Sequence, residues 1–319
     1  MPELLCVSAV SAAEHLVGLI WVVSSMLVLV VSGYLANRVH TLAVPLHQLL
    51  PPLVSKALIP SLLFYNMLTA NLQLVLNPLL LVAYFLPALL IVLLICSVSG
   101  SSDRAERVLC SLYSNTLYVG IPVIIGVLGE SAIPYVLSII LVNTLVVFSV
   151  YTVLDNFQNQ QFNIAGLLSG VLDSSKNPIV ISLMLGLGLN LMLSPGQILD
   201  VAITESWGSA VFVLALFSLG LSMPGIGSIK FFSLPAALWI KLLLFPLLVF
   251  LNSEYVLSLN SDISSVLVLL AASPLGVNAY YLLASQGKST TAVGSLIIQT
   301  SVLSVVSLSV WVVLLNLLN

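Results

Sequence analysis

Ser114-Asn115-Thr116-Leu117-Tyr118-Val119-Gly120-Ile121-Pro122 sits inside an otherwise apolar run from about Val108 to Leu128. A run of that length is a membrane-span candidate, because about twenty helical residues cross the hydrocarbon core. Asn, Gly and Pro in its middle argue against an unbroken helix. Proline removes a backbone donor and clashes with the carbonyl four residues back, and glycine admits non-helical angles. In lipid the freed backbone groups cannot turn to water, so such a span must be buried in protein or line a wet cavity. A second stretch, Ser273-Pro274-Leu275-Gly276-Val277-Asn278, interrupts the run from about Ile263 to Ser285 in the same way. Two interrupted spans in corresponding halves point to a transporter's substrate site.

The rest of the chain has the composition of a membrane protein. Of 319 residues, 60% are hydrophobic and 6% charged, against roughly 25% charged in a soluble domain, and the mean hydropathy is +1.20. A net charge of −3 gives no basis for nucleic-acid binding. Cys6, Cys96 and Cys110 lack metal-type spacing, and His15, His40 and His47 stand near span ends without partner ligands. Paired aspartates, a Gly-rich phosphate loop and a nucleophile elbow are all missing. Neither an enzyme nor a metal or cofactor is therefore expected. Met1-Pro2-Glu3 is acidic where a signal peptide would be basic.

Hydropathy predicts an all-α integral membrane protein with ten spans, at about 16–36, 49–69, 78–99, 108–128, 132–154, 178–194, 206–223, 232–251, 263–285 and 291–316. Arg38, Arg104, Arg107, Lys176, Lys230 and Lys288 all follow odd-numbered spans, while the opposite loops carry Glu3, Glu14, Glu130, Asp200, Glu205, Glu254 and Asp262. The positive-inside rule then puts both termini outside a bacterial inner membrane or a plasma membrane, and the central loop in the cytoplasm. That loop, 155–177, separates a first five-helix unit, 1–154, from a second, 178–319. An odd number of spans per half gives the halves opposite topology, as an inverted repeat requires. Matching offsets between Pro122 and Pro274, and between Phe64 and Phe217, support the repeat.

The motif Asn115-Thr116…Gly120-Ile121-Pro122 resembles the Asn-Thr-x-x-x-Gly-Ile-Pro stretch of the auxin efflux carrier family, which includes plant PIN-type auxin exporters and bacterial malate and malonate permeases. The likeness continues in order along the chain. It includes Ser32-Gly33-Tyr34-Leu35, Leu58-Ile59-Pro60-Ser61-Leu62-Leu63-Phe64, Leu216-Phe217-Ser218-Leu219-Gly220-Leu221, Lys241 ahead of Pro246, and Ala272-Ser273-Pro274-Leu275-Gly276-Val277-Asn278-Ala279. The resemblance implies two inverted five-helix repeats whose fourth and ninth helices are broken and cross near the bilayer midplane. It also implies a scaffold and a transport domain that rock against each other, and a small organic anion, a mono- or dicarboxylate, as substrate. A homodimer is compatible with it. The short central loop departs from PIN-type proteins and gives no reason to prefer auxin.

Asn115 is the leading substrate-binding candidate, because a neutral amide donor replaces water around a carboxylate without trapping it. Its alternative role is helix packing through a neighbouring carbonyl. Asn278 is the counterpart in the second broken span. Gly120, Pro122, Pro274 and Gly276 would shape the crossing. Lys241, the one charge near the centre of a span, would attract the anion or stabilise free carbonyls at the crossing. Lys56 is expected to snorkel, and Asn66, Asn71 and Asn143 are weaker candidates. Gly33, Gly186, Gly188, Gly220 and Gly294 suit close helix packing. No Asp or Glu lies mid-span, which disfavours a carboxylate proton relay. The alternatives are a sodium-coupled symporter of the bile-acid type and a non-transporting sensor or channel on the same fold.

Overall fold

Three of the four π-turns among the described residues lie just ahead of a proline, the exception being Asn252–Val256. The computed structural model describes residues 25, 28–100, 103–158, 178–193, 205–222 and 235–318. Its helices are α1 (28–36), α2 (His40–Leu53), α3 (Ile59–Thr69), α4 (Leu72–Val75), α5 (Pro78–Val98), α6 (Arg104–Leu112), α7 (Ile121–Leu128), α8 (Ile133–Gln158), α9 (Pro178–Met192), α10 (Glu205–Ser222), α11 (Pro235–Trp239), α12 (Phe245–Leu251), α13 (Ser261–Ala272), α14 (Asn278–Ser285) and α15 (Thr291–Leu318). Wide π-turns at Val54–Leu58, Thr116–Gly120 and Ile240–Leu244 each stop two residues short of a proline: Pro60, Pro122 and Pro246. A proline pushes away the carbonyl four residues back, and the wider turn absorbs the displacement.

Carbonyls released in this way are met by other helices. Pro87 frees Ala83, whose oxygen accepts from Asn252 Nδ2 at 3.0 Å. Pro246 frees Leu242, whose oxygen accepts from Ser307 Oγ at 2.8 Å. Asn190 Nδ2 on α9 donates to the carbonyls of Met67 and Ala70 at the end of α3, both at 2.9 Å. Without water, each such carbonyl needs a protein donor.

Among the described residues, four helical stretches are long and apolar enough to cross a membrane: Leu72–Val98, Glu130–Phe157, Ala236–Val256 and Thr291–Leu318. They fall on the third, fifth, eighth and tenth expected spans. Thr116–Leu128, Pro178–Met192 and Ser261–Ala272 are apolar but shorter, the first and last being pieces of the two interrupted spans. The second expected span starts earlier than its composition suggests, because α2 already runs from His40 through Pro45, Pro51 and Pro52. Proline's fixed φ is itself helical, so α2 continues through these residues, each of which removes a donor. The lead-in, the start of the first expected span, most of the central loop, and residues 194–204 and 223–234 lie outside the described residues.

Packing sorts the helices into two groups, and each group draws on both halves of the sequence. In one, α3 lies along α9, α2 and α3 meet α10, and α1 crosses α10. In the other, α5, α7, α8, α12 and α15 pack around α13, whose residues Ser264–Ala272 are all buried, and α6 packs on α5 and α8. Main chains touch closely within the first group. A Cβ on Gly33 would stand 2.0 Å from the Phe217 carbonyl oxygen, one on Gly220 1.9 Å from that of Val30, and one on Gly186 2.7 Å from that of Phe64. Gly188, expected to pack in the same way, has nothing within 4 Å. Contacts of α8 with α3 and α9, and of α10 with the Thr116–Gly120 turn, join the two groups.

Candidate functional site

The interrupted spans unwind and meet. α6 stops at Leu112, and Tyr113 (φ −76°, ψ 101°) carries the chain out of the helix until Thr116. α13 stops at Ala272, with Ser273 extended at ψ 145°, and helix resumes at Asn278. The two extended stretches pair antiparallel at Ser114 and Leu275. Asn115 N–H donates to the Pro274 carbonyl at 2.7 Å, and Gly276 N–H to that of Tyr113 at 3.1 Å. Leu275 N–H, turned the other way, donates to Thr300 Oγ1 of α15 at 3.1 Å. A side chain at Gly276 would reach within 2.6 Å of the Tyr113 ring, so the strands could not close with a larger residue there.

A narrow cleft opens at this crossing, lined by Tyr113–Tyr118 and Gly276–Asn278, with a free volume of about 10 Å³. It lies where the two helix groups adjoin, since the Thr116–Gly120 turn also touches α10.

Asn115 is 4% exposed and splits its amide between two tasks. Its Oδ1 accepts from Tyr118 N–H at 3.2 Å, capping the half-helix that starts at Thr116. Its buried Nδ2 has no hydrogen-bond partner. An unpaired donor of this kind costs about 1–3 kcal/mol unless something fills it. Leading N–H groups of a helix add a partial positive charge beside it. Asn278 is half-buried and donates from Nδ2 to Tyr113 Oη at 3.2 Å. That bond leaves its Oδ1 end as the acceptor, so the two asparagines present different groups.

Lys241 lies elsewhere. It is fully buried in the Ile240–Leu244 π-turn and donates from Nζ to Ser114 Oγ and to the Ala271 carbonyl, both at 2.6 Å. It does not line the cleft, which it approaches only through Ser114. Its contacts are with a hydroxyl and a helix-end carbonyl. Pro274 gives its carbonyl to the crossing and Pro122 follows it in the chain; neither lines the cleft, and Gly120 faces Leu270 and Ser273. Lys56 is exposed, Asn71 caps α4, and Asn143 is buried with Oδ1 unpaired.

Sequence reasoning missed Tyr84, Tyr113, Ser114 and Thr300. Tyr84 Oη lies 3.2 Å from Ser114 Oγ, and Tyr113 both lines the cleft and holds Asn278. Hydroxyls in apolar helices are too common to single out, although the position of Ser114 beside the broken segment was a usable signal.

Outside the expected spans, α6, α8 and the loop after α14 carry a charged cluster. Lys288 pairs with Asp155 and donates to Tyr151 Oη at 3.0 Å, while Tyr151 Oη donates to Gln286 Oε1 at 2.7 Å. Burial alone would lower the Lys288 pKa, but its bonds to Asp155 and Tyr151 outweigh it and hold the ammonium above its ordinary value. Burial raises the Glu106 carboxyl above its ordinary value, with Lys288 opposing and Asp103 and Asp155 adding to the rise.

Among the described residues, apolar helices long enough to cross a membrane and two unwound segments paired around a cleft define a helical membrane protein. The family model described as membrane transport protein matches residues 19–312. The chain belongs to that family, the auxin efflux carrier family. No curated protein shows a significant match to it.

Proposed function

We propose that this protein is a secondary carrier of small organic anions, built from two inverted five-helix repeats and working by alternating access. The observation that carries the proposal is Asn115 Nδ2, a buried donor with no partner, at the start of a half-helix and in a cleft. A carboxylate there would complete the donor and meet the positive end of the half-helix dipole. Asn278 Oδ1 offers an acceptor on the opposite wall. The group of α1, α2, α3, α9 and α10 would act as scaffold, and the group holding the crossing would move against it. Equal spacing supports the repeat: Gly33 meets Phe217 and Gly186 meets Phe64, each residue 153 positions from its counterpart. With cationic loops inside, both termini are outside and the central loop is cytoplasmic.

The test is ligand-dependent stability followed by counterflow. Malate, malonate, succinate, lactate and indole-3-acetate are screened for a rise in thermal midpoint, since a ligand held only by the folded state stabilises it. The stabilising acid should then drive counterflow of its labelled form in proteoliposomes. Stabilisation by none of these acids, or binding without counterflow, would point to a sensor or channel on this fold. Uptake that requires sodium would favour a symporter of the bile-acid type.

A further inference from the structure

The two half-helices that leave the crossing are held in different ways. α7 packs on both α8 and α13, whereas α14 has α15 as its main helical neighbour. What else fixes α14 is polar and lies at its two ends. At the cleft, Asn278 Nδ2 donates to Tyr113 Oη. At the other end the chain folds back on the helix: Gln286 N–H and Lys288 N–H both donate to the Leu283 carbonyl, at 3.1 and 3.0 Å. Gly287 supplies the left-handed φ of 69° that such a reversal requires. From this turn Lys288 Nζ pairs with Asp155 of α8 and donates to Tyr151 Oη, which donates in turn to Gln286 Oε1. The ammonium also stands 5.3 Å from the centroid of the Tyr151 ring. Because the turn is bonded to α14, these side chains tie the half-helix to α8.

Val277 and Asn278, at the start of α14, are wall residues of the cleft, so the position of α14 decides whether that wall stands. The chain is unwound between Ala272 and Asn278, and Gly287 has open space around it. A short helix between two such points moves as a unit while α13 stays in its socket. The ion pair at its end is partly open to solvent, with 26% and 17% of the two side chains exposed, which keeps it weak enough to release. We infer that α14 is a gate on the cleft, latched shut by Lys288 and Gln286 against Asp155 and Tyr151. Its cargo rests on the proposed carrier function; its motion does not. On release, α14 turns away from α8 and takes Asn278 off Tyr113, opening the cleft toward the end of the molecule where Lys288 lies.

Hydrogen exchange at the amides of residues 278–286 reads this motion without any substrate. Purified native protein is compared with Lys288→Met, with Asp155→Asn, and with the charge-swapped pair Asp155→Lys and Lys288→Asp. Both single variants should exchange several-fold faster across α14, with α13 and α15 unchanged, and the swapped pair should return toward native. The inference is overturned if α14 exchanges at the native rate in the single variants. It is equally overturned if α13 and α15 speed up as much, if a single variant does not fold, or if the swapped pair is as fast as the single variants. The cargo is read separately, in a chain whose Cys6, Cys96 and Cys110 are replaced by alanine. Joining Asp155→Cys to Lys288→Cys with a short thiol cross-linker should stop carboxylate uptake, and the same reagent should leave each single-cysteine chain active. Uptake undisturbed by the cross-link would show that α14 is not the gate. Absence of uptake before cross-linking would count against the carrier and leave the exchange result to decide the latch.

Discussion

The two ends of the Asn115 amide can be separated by substitution. Asn115→Asp keeps an oxygen for Tyr118 N–H, so the cap on the Thr116 half-helix survives, but it replaces the free donor with a negative charge. The protein should still fold, with a lower thermal midpoint from the buried charge, while carboxylate uptake is lost. Asn115→Ala removes both ends, and should also lose about 1 kcal/mol of stability with the cap. Normal uptake by Asn115→Asp would remove Nδ2 from the anion site. The sequence made Asn115 conspicuous because an amide beside Gly120 and Pro122 has few uses inside lipid. It could not show that Asn278 is held by Tyr113, since that bond joins residues 165 positions apart.

At the scale of the helix, prolines create the demand for partners, and polar side chains on other helices meet it. Ser307 and Asn252 serve carbonyls released by Pro246 and Pro87. Ser307→Ala should cost about 0.6 kcal/mol, the average measured for hydrogen bonds between helices in membranes, and no more than about 1.7 kcal/mol. The loss should be smaller once Pro246 is replaced by alanine, because the Leu242 carbonyl then regains a helical donor. Equal losses in the two backgrounds would show that Ser307 acts through packing. The breaks were legible because proline and glycine act locally, whereas their partners come from distant segments and leave no local trace. Glu106, half-buried at the start of α6, gives a prediction in pH. Its raised carboxyl favours the folded state while protonated, and that contribution is lost as pH rises through the folded-state pKa. Glu106→Gln keeps the shape without the charge. Its thermal midpoint should gain on native between mildly acid and neutral pH, and a constant difference across that range would show that Glu106 is not the titrating group.

For the whole molecule, the order of elements along the chain differs from their grouping in space. Four of the expected spans could be read because hydropathy is a property of consecutive residues. The two packed groups could not, since each interleaves helices from both halves. What links sequence order to that arrangement is a repeated contact, a glycine on the first helix of one half against a carbonyl on the second helix of the other. Gly33 approaches Phe217 in this way, and Gly186 approaches Phe64. If the halves are inverted copies, the two contacts are equivalent and should respond alike to the same change. Gly33→Ala and Gly186→Ala would each place a methyl group against main chain, which cannot rotate aside as a side chain could. Each should destabilise by about 1–3 kcal/mol, the usual range for overpacking a close contact. The Gly33 variant should lie at the upper end, because its clearance is 2.0 Å against 2.7 Å. Gly188→Ala, with open space around it, serves as the control and should leave the thermal midpoint within error of native. A large loss at only one of the two contacts would mean that the first group is held by a single seam, and that the equal spacing of these residues does not reflect a structural repeat.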